Sequence, residues 1–158
     1  MLLATMAGAQ NHVPTTQNFF EKLDGYWQGS LTYTDYSSGK PYTMKADVEI
    51  KRIGKASKFS FSNIYPNEKN ANSVDTIIIS ADGKYINQTP IKLQRTLANG
   101  TTELVTEEMG EDGNDNKKAV IRHTYSIGTN TYRKRKDVKF VDDTKWLNRH
   151  EYSYKKAL

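Results

Sequence analysis

The sequence predicts an all-β domain, an up-and-down antiparallel barrel of eight to ten strands preceded by one short helix. Three observations predict it. Apolar and polar residues alternate over most of the chain, turn sequences interrupt the alternation at short intervals, and no helical repeat extends beyond a few residues. A sheet built from consecutive hairpins removes its exposed edges by closing on itself. We therefore expect a barrel whose lumen is filled by side chains or open to a small ligand.

The helix is the first predicted element. Thr15 or Thr16 can cap a helix over residues 18–23, because a hydroxyl there can accept from the exposed amides of the first turn. Phe19 and Phe20 give this helix an apolar side. A short helix with one apolar side is suited to covering one end of the barrel.

Ten strands follow the helix, separated by turns rich in Gly, Asn and Asp. Asp82-Gly83 and Asn99-Gly100 are strong hairpin signals, because the turns that join two strands most tightly require positive φ angles. The second strand has the most regular alternation in the chain. The predicted strands span residues 26–36, 42–51, 57–65, 74–80, 84–88, 90–97, 101–108, 118–127, 131–141 and 145–156, and the loop at 110–116 is predicted to be solvated.

Length and composition favour one barrel domain over residues 16–158. The net charge of +5 is concentrated in Tyr132–Lys136, which holds four consecutive bases, within the predicted strand 131–141, here called the basic strand. Such a run is typical of proteins that bind nucleic acid or an acidic membrane surface. A strand divides its charges between two faces, so we expect no nucleic-acid partner.

The chain has no cysteine, which excludes disulfides and thiol chemistry.

Residues 1–15 differ from the rest of the chain. They begin with a short apolar run, and Ala7-Gly8-Ala9 matches the small-x-small pattern at which signal peptides are cleaved. We interpret the segment as the remnant of a signal peptide, which predicts a secreted or periplasmic protein. An ordinary flexible N-terminus is the alternative. No other apolar stretch is long enough to cross a bilayer as a helix.

The helix leads into Gly25-Tyr26-Trp27 at the start of the first strand, and a meander follows. This arrangement resembles the lipocalin-like or calycin barrels, whose first motif is Gly-x-Trp at that place, and it resembles their compact bacterial-type members most. The resemblance covers residues 16–156 and rests on a three-residue motif. It implies that Trp27 closes the barrel floor. An arginine usually lies over this tryptophan, and Lys155 or Lys156 would take that position here if the last strand pairs with the first.

Charge tests how the basic strand pairs with its neighbours. Pairing it with the last strand places Arg135 opposite Glu151 and Asp137 opposite Arg149. Pairing it with the preceding strand places Arg122 opposite Asp137. Opposite charges directly across a sheet are favourable by about 0.2–1 kcal/mol each. Three such matches predict this register and predict that these charges face solvent.

The opposite face of the same three strands follows, because successive side chains point to opposite sides. The lower rows, predicted as core, are Ala119 with Phe140 and Trp146, and Ile121 with Val138 and Asn148. The upper rows are His123 with Lys136 and His150, and Tyr125 with Lys134 and Tyr152. Arg95 is in phase with Ile91, Leu93 and Leu97, and is expected to point inward as well.

Burying this much positive charge costs several kcal/mol per ion unless something compensates it. The candidates are Glu107 or Glu108, water, or an anionic ligand. Fatty-acid-binding relatives of this fold hold a carboxylate with inward Arg and Tyr side chains on their last strands, so the resemblance implies a carboxylate- or phosphate-bearing ligand. In the alternative interpretation Lys134 and Lys136 lie at the barrel mouth and extend into water. The predicted ligand-binding residues are His123, Tyr125, Lys134, Lys136, His150, Tyr152 and Arg95.

Three functions follow from this pattern. The first is a secreted or periplasmic protein, a monomer or weak dimer, that binds a small hydrophobic or amphiphilic anion. The second is a non-catalytic interaction module with a filled barrel, and the third is a small barrel enzyme, such as an isomerase or cyclase, that uses His123 or His150. No catalytic set is evident by spacing.

Two histidines are too few for a zinc site, so neither a metal nor a cofactor is predicted. Haem needs one histidine and is the alternative cofactor.

Overall fold

The computed structural model describes residues 15–157. It confirms the predicted fold class: one short helix precedes an antiparallel sheet that is nearly closed into a barrel. The helix is α1 (Thr16–Glu21). The strands are β1 (Gly25–Thr34), β2 (Pro41–Lys45), β3 (Asp47–Arg52), β4 (Lys58–Ile64), β5 (Ser73–Ile78), β6 (Tyr85–Ile86), β7 (Thr89–Thr96), β8 (Thr102–Asp112), β9 (Lys117–Ile127), β10 (Thr131–Phe140) and β11 (Leu147–Lys156), with a 3-10 turn at Lys69–Ala71.

The strands lie in the order β5-β4-β3-β1-β11-β10-β9-β8-β7-β6, and β2 pairs with β1. Most neighbours in the sheet are therefore neighbours in sequence, as an up-and-down barrel requires. The two ends of the sheet meet where Ile79, after β5, forms a single bridge with Ile86 of β6. The closure is incomplete along the rest of β5, and this leaves the barrel open on one side.

The predicted second strand, 42–51, is divided into β2 and β3. Asp47 is buried at the division, where its carboxylate accepts hydrogen bonds from the backbone amide of Gly29 (3.1 Å) and the hydroxyl of Tyr26 (3.0 Å). The amide of Ala46 donates to the carbonyl of Gly29 (3.0 Å). These bonds hold the chain against β1 at the break between the two strands, so that β2 and β3 both pair with β1 and β3 also pairs with β4.

Helix α1 covers one end of the barrel, as predicted. It begins earlier than expected, because Thr15 caps it in a reciprocal pair of hydrogen bonds with Asn18. Phe20 of the helix and Leu23, which follows it, are both fully buried. The indole Nε1 of Trp27 donates to the carbonyl of Leu23 (2.7 Å), which fixes the end of the helix to the start of β1.

Trp27 lies at the centre of this closed end, here called the floor. Strand β1 pairs with β11 so that Trp27 is opposite Lys156, and the ammonium of Lys156 lies 5.3 Å from the centre of the indole ring. The prediction that Lys155 or Lys156 covers the tryptophan is therefore confirmed for Lys156. Tyr132 and Tyr154 complete the floor, with their rings stacked at 5.7 Å.

The predicted cleavage sequence Ala7-Gly8-Ala9 lies outside the described residues, and export remains a prediction from sequence. In the described range, 15–157, the structure contains no helix that is both long and apolar enough to cross a membrane.

Candidate ligand-binding site

Strands β9, β10 and β11 pair in the predicted register over most of their length. Arg135 is opposite Glu151 and Arg122 is opposite Asp137, which confirms two of the three predicted charge matches. On this outer face Arg122 forms an ion pair with Glu107 (2.5 Å) and Arg135 one with Asp137 (2.8 Å). The outer charges are thus largely compensated within the sheet.

The third match, Asp137 opposite Arg149, is wrong. The register shifts after Lys136, so Asp137 is opposite Asn148 and Arg149 is the additional residue of a β-bulge. The guanidinium of Arg149 turns to the inner side of the sheet, where it bonds the carboxylate of Asp112 at 2.5 Å.

Because of this bulge, the predicted positions of Trp146 and Asn148 in the lower rows are wrong. Val138 is opposite Leu147, and the amide of Asn148 donates to Asp137 (3.2 Å) on the outer face. Trp146 lies outside the barrel as well, because the guanidinium of Arg122 is 3.8 Å from the centre of its ring.

The expectation that Arg95 faces the lumen is wrong. Strand β7 has a bulge between Ile91 and Leu93, and one additional residue reverses the face to which the following side chains point. Ile91 packs against the core, whereas Arg95 is exposed and donates to Glu103 (2.8 Å) on the outer face.

Above the floor the barrel encloses a cavity of ≈ 330 Å³. The two predicted upper rows border it: His123, Lys136 and His150 are aligned across three strands, and Tyr125, Lys134 and Tyr152 form the next row. Five of these six side chains line the cavity, and Tyr125 is buried behind Lys134. The lining residues are Phe61, Asn63, Asp75, Ile77, Glu108, Ile121, His123, Tyr132, Lys134, Lys136, His150, Tyr152 and Tyr154.

Lys136 has a partner inside the barrel. Its ammonium donates to the carboxylate of Asp112 (2.9 Å), which also binds Arg149. Burial opposes ionisation of Asp112, but the hydrogen bonds from the two cations outweigh it and lower the pKa of the carboxyl. Two inward cations therefore share one buried carboxylate.

Two other carboxylates, Glu107 and Glu108, were expected to compensate the inward cations. Glu107 faces outward and pairs with Arg122, so that alternative is wrong. Glu108 lines the cavity, but it is exposed and accepts from Thr89 (3.0 Å). Asp112 was missed because the strand was predicted to end at residue 108. Asp112 and the apolar Leu104 are an even number of residues apart, so in a strand that reaches residue 112 both side chains point to the same inner face.

Lys134 has no such partner. Among residues 15–157 its ammonium has neither a hydrogen bond nor an ion pair, and it lies 5.9 Å from the centre of the Tyr125 ring. Burial lowers its pKa, and the carboxylate of Asp75, across the cavity, opposes that shift. Asp75 and Glu108 are both exposed while lining the cavity, so they mark its mouth.

The two histidines border the cavity as neutral side chains. Burial, and after it the positive charge of Lys134, lowers the pKa of both His123 and His150 to about 4. No hydrogen bond to either ring is present within the described part of the chain, so each ring offers the cavity one donor and one acceptor. The residues from 15 to 157 contain no group of three or more His, Asp or Glu side chains placed to hold a metal.

Tyrosines form the lower wall of the cavity. Tyr132 is 2% exposed, and its hydroxyl is buried without a hydrogen-bond partner anywhere in residues 15–157. A buried polar group without a partner costs about 1–3 kcal/mol. Tyr152, by contrast, shares a hydrogen bond with Tyr65 (2.9 Å). Tyr132 was not predicted as a site residue, although its even spacing from Lys134 and Lys136 puts it on the same inner face.

Comparison with known proteins identifies the fold and no more. A scan against models of protein families finds no match, and a search of curated proteins finds none either. Among solved structures, the chain is similar to that titled "Crystal Structure of Rv2717c from M. tuberculosis", with a TM-score of 0.52 and 10% sequence identity over 92% of this chain and 99% of that one. Similarity at this level of identity concerns the barrel architecture alone.

Proposed function

We propose that this protein binds a small anionic amphiphile in the barrel cavity. The observation that carries the proposal is the side chain of Lys134, an inward-facing ammonium that forms neither an ion pair nor a hydrogen bond within residues 15–157. An uncompensated cation inside a protein is costly, and a bound carboxylate or phosphate would remove that cost. Lys136, by contrast, has a carboxylate partner in Asp112, which it shares with Arg149.

The neutral donors of the cavity support the same ligand. The rings of His123 and His150 each keep an N–H near neutral pH, and the buried hydroxyl of Tyr132 has no acceptor among the described residues. These groups surround the ammonium of Lys134 along β9, β10 and β11. An anion beside Lys134 could accept hydrogen bonds from several of them at once, and charge-assisted hydrogen bonds are the strongest ones in proteins.

The apolar part of the proposed ligand has its own wall. Phe61 of β4 and Ile77 of β5 line the side of the cavity formed by the other strands, and both are largely buried. A cavity of ≈ 330 Å³ is at the small end of the range of about 300–1,000 Å³ for ligand sites. The ligand class is therefore a short-chain or single-ring organic anion.

Catalysis by the histidines has less support. General acid–base catalysis is most effective when the pKa of the catalytic group is near the working pH. A pKa of about 4 makes His123 and His150 weak bases at neutral pH, and neither contacts a carboxylate that would orient it within residues 15–157. We therefore assign the two rings to ligand binding.

Native mass spectrometry of the purified protein, followed by the same measurement after denaturation, tests the proposal. We expect an additional mass that is lost on denaturation, or, where purification has removed the ligand, a thermal stabilisation by octanoate. Lys134→Met should abolish both signals. Lys155→Met is the matched control, because Lys155 is exposed on the outer face of β11. Absence of both signals in the unmodified protein, or their persistence in Lys134→Met, would contradict the proposal.

A further inference from the structure

Lys134 and Lys136 form a natural comparison. Both belong to β10, both point inward, and both line the same cavity. The ammonium of Lys136 donates to the carboxylate of Asp112 at 2.9 Å. Lys134 contacts the face of Tyr125 and has no carboxylate within ion-pair distance among the described side chains. The two amines therefore differ in chemistry, although their positions are nearly equivalent.

An amine is a nucleophile only when it is deprotonated, and desolvation in a largely apolar pocket is a known means of activating lysine. The surroundings of Lys134 are mostly neutral groups: the rings of the two histidines remain uncharged near neutral pH, and burial raises the pKa of Tyr125 and Tyr152 out of the physiological range. The titratable and charged groups around it are Tyr132 and Lys136 on β10, His123 and Tyr125 on β9, His150, Tyr152 and Tyr154 on β11, Asp75 on β5 and Glu108 on β8.

We propose that the amine of Lys134 forms a reversible imine with a small apolar aldehyde or ketone in the barrel cavity. The geometry supplies what this reaction needs. The amine is inside a cavity with an open mouth, the wall formed by Phe61 and Ile77 can contact the body of the carbonyl compound, and the described carboxylates leave the nitrogen unpaired. Burial of the amine, which lowers its pKa, increases the fraction that can react.

The reaction balances without any other reagent. The lone pair of the neutral Lys134 nitrogen attacks the carbonyl carbon, and proton transfer from nitrogen to oxygen gives a carbinolamine. Loss of one water then forms the carbon–nitrogen double bond, so that amine and carbonyl become imine and water. The imine nitrogen lies next to the neutral rings of His123 and His150. Added cyanoborohydride supplies a hydride to the protonated imine and converts it to a stable secondary amine, which makes the reaction measurable.

This inference goes beyond the proposed function, and the two can fail separately. An anion beside Lys134 would hold the amine in its protonated form, so an anion and a carbonyl compound would compete for the same cavity. Binding of octanoate can be measured by calorimetry without any imine chemistry, and imine trapping can be measured without any anion.

The experiment treats the full chain with benzaldehyde and cyanoborohydride near neutral pH and locates the benzyl groups by peptide mapping. We expect Lys134 to be modified first, roughly tenfold faster or more than the exposed Lys155. Lys136, held by Asp112, should react no faster than the exposed lysines. Lys134→Arg should lose the rapid phase and Lys155→Arg should keep it, with circular dichroism to confirm that both variants fold.

The mapping on the unmodified protein decides the question even if a variant fails to fold. Modification of Lys134 at the rate of exposed lysines, or no modification there, would overturn the inference. Protection of Lys134 by octanoate would support both proposals. Rapid modification without protection would support the imine and contradict the anionic site at Lys134.

Discussion

The two halves of the barrel use the same strands for opposite purposes. At the floor, Trp27, Phe20 and Leu23 are fully buried, and the indole N–H of Trp27 has a backbone acceptor. In the cavity half, Lys134 and His123 face a hollow without partners among the described residues. Proteins depart from good packing and full hydrogen bonding mainly at functional sites. The contrast therefore teaches that the floor stabilises the fold while the cavity half gives up stability to remain open.

The floor should give the largest loss of stability on mutation. Phe20 is fully buried, and its ring centre lies 5.8 Å from that of Phe59 and 5.7 Å from that of Tyr125. Phe20→Ala should lower the free energy of unfolding by about 3–5 kcal/mol, measured by urea denaturation. Met109→Ala, at a side chain that is 64% exposed, is the control and should change it by less than about 0.5 kcal/mol. A loss of under about 1 kcal/mol for Phe20→Ala would contradict the role of the floor.

The buried carboxylate at the upper end of the barrel should rank second. Asp112→Asn leaves Lys136 and Arg149 without their shared counter-ion, so we expect a loss of roughly 2–4 kcal/mol in the same measurement. Glu107→Gln removes the partner of Arg122 on the outer face, where solvent screens the charges, and should cost about 1 kcal/mol or less. Equal losses of stability in the two variants would show that the buried ion pairs of Asp112 contribute no more than the outer ion pair of Glu107.

Acid should weaken the cavity half selectively. The pKa of both His123 and His150 is about 4 in the folded protein, against 6.5 for an ordinary histidine. The unfolded chain therefore binds more protons between these values, and stability falls as the pH is lowered through that window. Between about pH 7 and about pH 5 the native protein should lose roughly 2 kcal/mol more than the single variant His123→Gln, which keeps only one of the two buried rings. Parallel pH profiles of the two proteins would contradict the burial of neutral rings.

Lys134→Met should have the smallest effect on stability, and of the opposite sign. The variant replaces an inward cation without a described partner by an apolar chain of similar length, so the free energy of unfolding should stay unchanged or rise by about 1 kcal/mol. Lys136→Met loses the hydrogen bond to Asp112 and should cost about 1–2 kcal/mol. A marked loss for Lys134→Met would mean that its ammonium has a stabilising partner.

The sequence was sufficient to predict which residues of β9, β10 and β11 face inward, because their turns are short and the side-chain period in a strand is two. It was not sufficient at the bulges. Each bulge adds one residue and reverses the faces beyond it, which is why Arg149 points inward and Arg95 outward. A simple count along the strand cannot detect this, since the alternation on each side of a bulge looks regular.

Most residues of the candidate site were predicted from the sequence, but the ion pairing of its two lysines was not. The rows containing Lys134 and Lys136 were placed correctly, but their electrostatic difference depends on Asp112. That carboxylate reaches Lys136 only because β8 extends four residues beyond its predicted end at 108. Strand ends are set by pairing with a neighbour, here β9, and are therefore poorly predicted from local sequence.

The most direct test of the account is a calorimetric titration of the unmodified protein and Lys134→Met with octanoate and with 1-octanol. The two compounds share the apolar chain and differ in the charged group, so the comparison isolates the contribution of Lys134. We predict that the unmodified protein binds octanoate at least about tenfold more tightly than 1-octanol, a difference of about 1.4 kcal/mol, and that Lys134→Met removes this preference. Equal binding of the two compounds, no binding of either, or an unchanged preference in Lys134→Met would contradict an anion site in the cavity.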